Sequence, residues 1–297
     1  MLDFRLKVFH AVAKRLNFTK AASELFITQP GVTKHIRELE NQYKVSLLKR
    51  SGNKKITLTP AGQVLLKYTE QFVRLHNDLE YEMHQLNNDN GGEFRLGAST
   101  TVSQYIIAPI LADFHKQYKG IYIRLKTANT EEIEDALLNN EIELGIVEGI
   151  TSNPLIKYDK FLADEVVLVA SGKNKLVKKD SILPQDLKTL PFVLREAGAG
   201  TIDVLNAALR NFDMSISDLN VEIQLGGTES IKSYLLHSNC FAFLSVHSIA
   251  NELSLGQLKI IDIDGMAIER QFSFTQTPGQ PSPLVTLFTR FAKSYKQ

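Results

Sequence analysis

Gln29, Thr33, Lys34 and Arg37 bring an amide, a hydroxyl and two cations within nine residues of one another. On one helical face these are the donors that base edges and phosphates accept in a DNA major groove. The elements that must present them can be read around them. Thr28 is a good N-cap, and Pro30 in the first turn gives up an N–H that has no intrahelical partner. Val32, Ile36 and Leu39 then recur at spacings of four and three, which turns them inward and leaves the polar set outward. Upstream, Thr19 reads as the N-cap of a shorter helix whose Ala21, Ala22 and Leu25 let a second helix approach closely. Two short helices in tandem with that exposed face make a helix-turn-helix. Its expected DNA contacts are Thr19, Thr28, Gln29, Pro30, Thr33, Lys34 and Arg37.

A solvated pair of amphipathic helices would show the same spacing, and charge separates the two readings. Residues 1–58 hold 12 Lys or Arg against 4 Asp or Glu, a local charge of +8 in a chain whose total is +1. By subtraction the other 239 residues carry −7, so a basic arm is joined to a part that has no electrostatic reason to bind nucleic acid. At 297 residues and 43% hydrophobic content, the chain has material for two or three domains with real cores. No apolar run approaches the roughly 18 residues of a membrane span, and MLDFRLKVFH lacks the pattern of a secretory signal. A soluble, cytoplasmic protein without membrane attachment is expected. One cysteine, Cys240, and seven scattered histidines with no HExxH spacing offer no metal site, and there is no glycine-rich phosphate loop. No resident cofactor is expected.

A helix over 3–16, with Leu6, Phe9, Val12 and Ala13 at helical spacing, should close the helix-turn-helix core. After the second helix, KVSLLKRSGNKKITL reads as a β-wing. Gly52-Asn53 make its turn, Ile56 and Leu58 alternate along a strand, and Arg50, Lys54 and Lys55 face phosphates. Thr59 and Pro60 open a long helix with Leu65, Tyr68, Phe72, Leu75, Leu79, Glu82 or Met83, and Leu86 at threes and fours. At about 28 residues it spans roughly 42 Å. Such a stripe suits a two-stranded coiled coil that sets two DNA-binding heads on two half-sites. NNDNGG at 87–92 then breaks the chain as a hinge.

In this order, FHAVAKRLNFTKAASEL, TQPGVTKHIRELE, LLKR and ITLTPAG resemble the winged helix-turn-helix of LysR-type transcriptional regulators over about 60 residues. The resemblance implies an N-terminal all-α winged helix-turn-helix over 1–58, a linker and dimerisation helix over 59–88, and an α/β effector-binding domain over 89–297. That last domain would have two lobes, like a periplasmic binding protein. A small-molecule effector held between the lobes is implied, with double-stranded promoter or operator DNA as partner and RNA polymerase as a further one. So is a homodimer through the linker helix, assembled further into a homotetramer.

Beyond Glu93 the sequence pattern itself changes to alternating strands and helices. FRLGA, a helix near 101–118, IYIRLKT, a helix over 131–140 and ELGIVEG form one set. VVLVAS, PFVLR, a helix near 201–212, VEIQL, a helix over 229–237 and FAFLS form another, followed by LKIIDID, IERQFSFTQ and a helix near 282–295. The alternation predicts parallel strands with crossover helices in two lobes, 93–162 with 267–297 and 163–266. The chain should pass between them near 162–164 and 262–266.

Ligands in such sheets meet the carboxyl ends of strands, where helix N-termini present free N–H groups. The candidates are Ser99, Thr100 and Thr101; Val147 and Glu148; Gly200 and Thr201 in the turn that starts at Arg195-Glu196; and, more weakly, Thr228 after Gly226-Gly227. Ser and Thr also cap helices, and Thr201 is read as such a cap. Recurrence of hydroxyls in both lobes is what points to a small anion or carboxylate as effector. Glu148 reads either as a cleft carboxylate favouring a cationic or hydroxylated ligand, or as a surface residue. Where the family often has a Gly-containing turn before the strand FAFLS, this chain has His237-Ser238-Asn239-Cys240.

Two other classes of function compete with this one. An enzyme would need a nucleophile, a base and an orienting residue at recognisable spacing. None surrounds Cys240, which sits beside Phe241, Phe243 and Leu244 as a buried small hydrophobe would. A transporter's solute-binding protein would carry a signal peptide in place of the basic arm. The expectation is a sequence-specific DNA-binding regulator without enzymatic activity.

Overall fold

In the computed structural model, which describes residues 3–51, 55–86, 92–150, 153–177 and 179–295, three helices build the first core. Helices α1 (Phe4–Arg15), α2 (Phe18–Glu24) and α3 (Gln29–Tyr43) bury Phe9, Val12, Ala21, Val32, Ile36 and Leu39 together. Thr28 caps α3 by accepting from the Gly31 N–H at 3.3 Å. The start of α2 is corrected: Asn17, not Thr19, is its N-cap, accepting from the Lys20 N–H at 3.0 Å. Beginning the helix there puts Phe18 in its first turn with the ring buried, and leaves Thr19 one position inside the helix and exposed. Burial of one aromatic ring decides the register that capping preference alone left open.

Strands β1 (Leu48–Ser51) and β2 (Lys55–Leu58) pair antiparallel, Leu48 opposite Leu58 and Ser51 opposite Lys55. The expected Gly52-Asn53 turn and Lys54 lie outside the described residues, as do the side chains of Arg50 and Lys55. Thr59 accepts from the Gly62 N–H at 3.0 Å and donates to the Ser46 carbonyl at 2.6 Å, which ties the start of α4 (Pro60–Leu86) to the loop before the wing. Helix α4 has 27 residues. Its Leu65 and Leu66 pack on the head's core, while Val64, Tyr68, Phe72, Leu75, Leu79 and Met83 form an exposed apolar stripe. Of the expected hinge, 87–91 lie outside the described residues. The chain divides into two units, 1–92 and 93–297.

The second unit is organised on one sheet. Across it run β4 (Ile121–Ala128), β3 (Gly92–Ser99), β5 (Leu144–Glu148), β12 (Ile268–Gln276), β6 (Lys157–Ser171), β10 (Phe241–Ser245), β8 (Pro191–Arg195) and β9 (Asn220–Leu225). Strand β11 (Leu258–Ile263) also pairs with β6, and β7 (Ser181–Ile182) with β11. Strands β3 and β5 are parallel, as are β10, β8 and β9. The two halves share β6 and β12, which lie antiparallel from Lys157 opposite Gln276 to Val166 opposite Ile268. Beyond Val166, β6 continues against β10 and β11. Strand β11 ends at Ile263, and Asp264 and Gly265 turn the chain towards β12.

Helices α5 (Ile107–Gln117), α6 (Thr130–Leu138) and α10 (Pro283–Ser294) belong to the first half. Helices α7 (Gly200–Arg210), α8 (Thr228–Leu236) and α9 (Val246–Ser254) belong to the second. Each half has its own aromatic core: Phe94 and Phe114 both meet Phe288 at 5.1 Å between centroids in one, and Phe192 stacks on Phe243 at 5.7 Å in the other. The helix expected over 101–118 is π-helical at its start, over Val102–Ile106, before α5. Such widened turns recur at functional sites, and this one follows directly from the hydroxyl run at the end of β3.

Candidate functional site

On α3, Gln29, Pro30, Lys34 and Arg37 are exposed, as are Thr28 and Thr19, and Thr33 is half-buried. The Gln29 amide donates to Thr33 Oγ1 at 3.0 Å, which holds it over the helix's first turn. Lys34 keeps 76% of its side chain exposed and reaches Glu38 only at 4.0 Å. Arg37 makes no ion pair among the described residues. A solvated pair at that separation contributes little, so both cations are available to phosphate or to a guanine edge.

In the second unit, the two halves meet at the carboxyl ends of β3 and β5 on one side and of β8, β9 and β10 on the other. Several bonds cross the join. The Glu131 N–H at the start of α6 donates to the Gly198 carbonyl at 3.2 Å, and Tyr105 donates from the π-helical turn to Glu229 on α8. A Cβ on Gly200 would lie 2.0 Å from the Glu148 carbonyl, and one on Gly149, at φ +109°, would lie 2.7 Å from the Gly200 Cα. Here the halves touch backbone to backbone.

Behind that contact lies a buried ion network. Arg270 on β12 donates through Nε to Asp164 on β6 at 2.5 Å and through Nη1 to Thr201 on α7 at 2.9 Å. Its Nη2 lies 3.2 Å from Glu148 on β5, an ion pair that is not aligned as a hydrogen bond. None of the three charged side chains is more than 2% exposed. Thr201 Oγ1 also donates to Glu148 at 3.4 Å, and Ser245 Oγ donates to Asp164 at 2.7 Å. The network ties both shared strands to both halves.

A second cation, Arg195, ends β8 with 2% of its side chain exposed. Its Nε and Nη2 clasp the two oxygens of Glu196 at 2.8 Å each, and Nη2 reaches Thr100 Oγ1 of the other half at 3.4 Å. Burial raises the Glu196 carboxyl, but Arg195 and the Gly227 N–H outweigh it and hold the group below the usual carboxylate range. Burial likewise works against the Arg195 charge, and Glu196 overcomes it. Helices α1, α2, α3, α4, α6, α9 and α10 each begin with a side-chain cap, whereas α5, α7 and α8 have none, and α7 and α8 both start at this join. Such starts leave N–H groups without intrahelical partners at the positive ends of the helix dipoles.

The structure brings most of the expected effector residues to this place, with different tasks. Ser99 is buried and its Oγ has no partner; Thr100 donates to the Ala128 carbonyl at 3.3 Å and faces Arg195; Thr101 is buried at the start of the π-helical turn. Gly200 is the close-contact glycine, and Thr228 is buried as the first residue of α8. Three expectations are corrected. Thr201 caps nothing: Ala199 holds the cap position of α7, and the Thr201 hydroxyl is taken up by Arg270 and Glu148. Glu148 is neither a free cleft carboxylate nor a surface residue, because Arg270 neutralises it in the interior. Val147 packs with Ile133, Leu137 and Ile156, on the face of β5 opposite Glu148.

From sequence, Arg195 and Glu196 only open a candidate ligand turn, and neither Asp164 nor Arg270 is a candidate site residue. Both of the latter carry a signal. Arg270 shares its strand face with Ile268, Phe272 and Phe274, and Asp164 shares its face with Val166 and Leu168, all buried. A charge in the apolar phase of a strand implies a buried partner. Cys240 is 2% exposed, and its Sγ donates to Glu222 at 3.2 Å. Burial and that carboxylate push the thiol up, which suppresses the thiolate. Among the described residues no group of His, Cys, Asp and Glu could hold a metal ion, and no helix is long and apolar enough to cross a membrane.

Residues 4–63 match the family model of the bacterial regulatory helix-turn-helix protein, lysR family, and residues 87–297 match that of the LysR substrate binding domain. The chain is 29% identical over 273 residues to the HTH-type transcriptional regulator CysL of Bacillus subtilis, covering 92% of this chain and 90% of that one. It is 32% identical over 268 residues to the HTH-type transcriptional activator CmpR of Synechocystis sp., covering 90% and 86%. The regulatory domain of Synechocystis CcmR, solved in complex with 2-PG, is 30% identical, with a TM-score of 0.60 over 68% of this chain and 96% of that one. Full-length CbnR complexed with its target DNA, 18% identical, covers 99% of both chains with a TM-score of 0.65 and supports the fold alone. The chain belongs to the LysR family: it is a DNA-binding transcriptional regulator with a C-terminal effector-binding domain.

Proposed function

We propose that the head reads operator DNA through α3 and the wing, and that a small anion or carboxylate bound in the crevice between the lobes switches it. Gln29, Thr33, Lys34 and Arg37 reach base edges and phosphates. Thr19, Thr28 and Pro30 meet the backbone beside them, and Arg50, Lys54 and Lys55 meet it from the wing. The observation that carries the anion reading is the pairing of a buried guanidinium, Arg195, with two helix starts that no side chain caps. CcmR, whose regulatory domain was solved with 2-PG, supports a small acid as the ligand class.

Ser99, Thr100, Thr101, Gly200, Thr201 and Thr228 surround the effector, with Glu148 and Val147 supporting them from behind. The lobes are 93–162 with 267–297, and 163–266. An effector that binds one arrangement of the lobes better than the other shifts the population of that arrangement, and with it the spacing of the heads. The exposed stripe on α4 pairs two copies, and the effector domains join two such dimers. The protein acts in the cytoplasm on promoter DNA beside RNA polymerase, and returns its ligand unchanged.

The test begins with sequencing the genomic fragments that the protein retains, followed by a screen of small acids for a rise in melting temperature and a change in operator affinity. A ligand bound only by the folded state raises stability by RT ln(1 + [L]/Kd), so a true effector is visible. An effector that proves neutral or cationic contradicts the anion reading, and a ligand recovered chemically altered contradicts the absence of catalysis.

A further inference from the structure

Arg195 is desolvated, yet the carboxylate that neutralises it belongs to the very next residue. Glu196 fills both arms of the guanidinium fork at 2.8 Å, and the Gly227 N–H before α8 helps to hold its carboxyl below the usual range. Thr100 Oγ1 of the opposite lobe completes the surroundings at 3.4 Å from Arg195. A forked arginine beside the start of a helix is what a protein offers a bound carboxylate or phosphate. Arg195 and Glu196 differ in one respect: the guanidinium is 2% exposed, whereas the Glu196 side chain is 31% exposed and borders solvent. It can leave for water; the guanidinium cannot.

We propose that Glu196 is a tethered stand-in for the effector's anionic group, occupying the fork of Arg195 beside the start of α8 until a free carboxylate or phosphate displaces it. This rests on the anion reading above and sharpens it. An uncharged ligand that moved Glu196 would strand a buried guanidinium without a counter-charge, so the incoming group must itself be anionic. Glu196 thereby sets which ligands succeed. A singly charged acid exchanges like for like, while a doubly charged phosphate brings more than it replaces.

The test uses the full-length protein and inorganic phosphate as probe, at constant ionic strength against chloride, read by titration calorimetry and by melting temperature. Three proteins are compared: wild type, Glu196→Gln, and the double variant Arg195→Gln/Glu196→Gln. Phosphate also meets the cations of the DNA-binding head, and the double variant measures that background. The expected result is that Glu196→Gln binds phosphate about tenfold more tightly than wild type, with the gain absent from the double variant. Equal affinity in wild type and Glu196→Gln, both above the double variant, overturns the stand-in role and leaves the anion reading standing. Affinity in Glu196→Gln no higher than in the double variant overturns both. If Glu196→Gln does not fold, Glu196→Ser removes the carboxylate and opens space for phosphate, and it is read by the same three outcomes.

Discussion

On α3 the polar side chains stand in water: Lys34 keeps 76% of its side chain exposed. Between the lobes, Arg270 and Asp164 expose none of theirs. The head's cations are held in place by a helix whose other face is buried, and they wait for a partner. The charges of the buried network around Arg270 already have partners, drawn from strands far apart in sequence. Function at the head can therefore be altered without touching the fold. At the ion network, folding fails first.

The largest expected effect breaks that contrast at its buried end. Arg270→Met leaves Glu148 and Asp164 uncompensated in the interior and should destabilise the effector domain by about 3–5 kcal/mol in urea unfolding followed by circular dichroism. Neutralising the partners as well, in Arg270→Met/Glu148→Gln/Asp164→Asn, should recover much of the loss, because no uncompensated charge then remains. Gly200→Ala comes next. The added carbon meets the Glu148 carbonyl, so the lobes must separate, at about 1–3 kcal/mol of stability; an unchanged melting temperature would show that this contact is looser than described.

At the exposed end, Lys34→Ala and Arg37→Ala should each cost about 1–3 kcal/mol of operator affinity in gel-shift titrations and relax sequence preference, with the melting temperature unmoved. If either variant unfolds early, the contrast itself is wrong. The smallest effect is at the cap of α3, where Thr28→Ala should remove about 1 kcal/mol of head stability.

The same contrast governs how much could be read from sequence. Val32, Ile36 and Leu39 announce the buried face of α3 by spacing alone, and of the set they leave outward the structure exposes Gln29, Lys34 and Arg37 and half-buries Thr33. Thr28 and Thr59 are caps in sequence and in structure because a cap is a contact across three residues. Asn17 against Thr19 was not decidable locally, since burial of the Phe18 ring settles it. In the crevice, Arg270 and Asp164 are 106 residues apart, and no spacing rule links them. Val147 and Glu148 are neighbours on one strand, so only one of them could face the crevice side, and period-two alternation could have said so. Thr201 looked like a cap because the turn before it is glycine-rich; its hydroxyl is held by a guanidinium that arrives from β12.

The proposed coupling joins a head that reads DNA to a crevice that would sense a small acid. Its most direct test is the retention of genomic fragments by the full-length protein at moderate salt, with and without a small-molecule extract of its host cell. It predicts that a few fragments are bound about 10³-fold or more tightly over the rest, and that the extract changes their affinity or their footprint. No preference among fragments in either condition would contradict it.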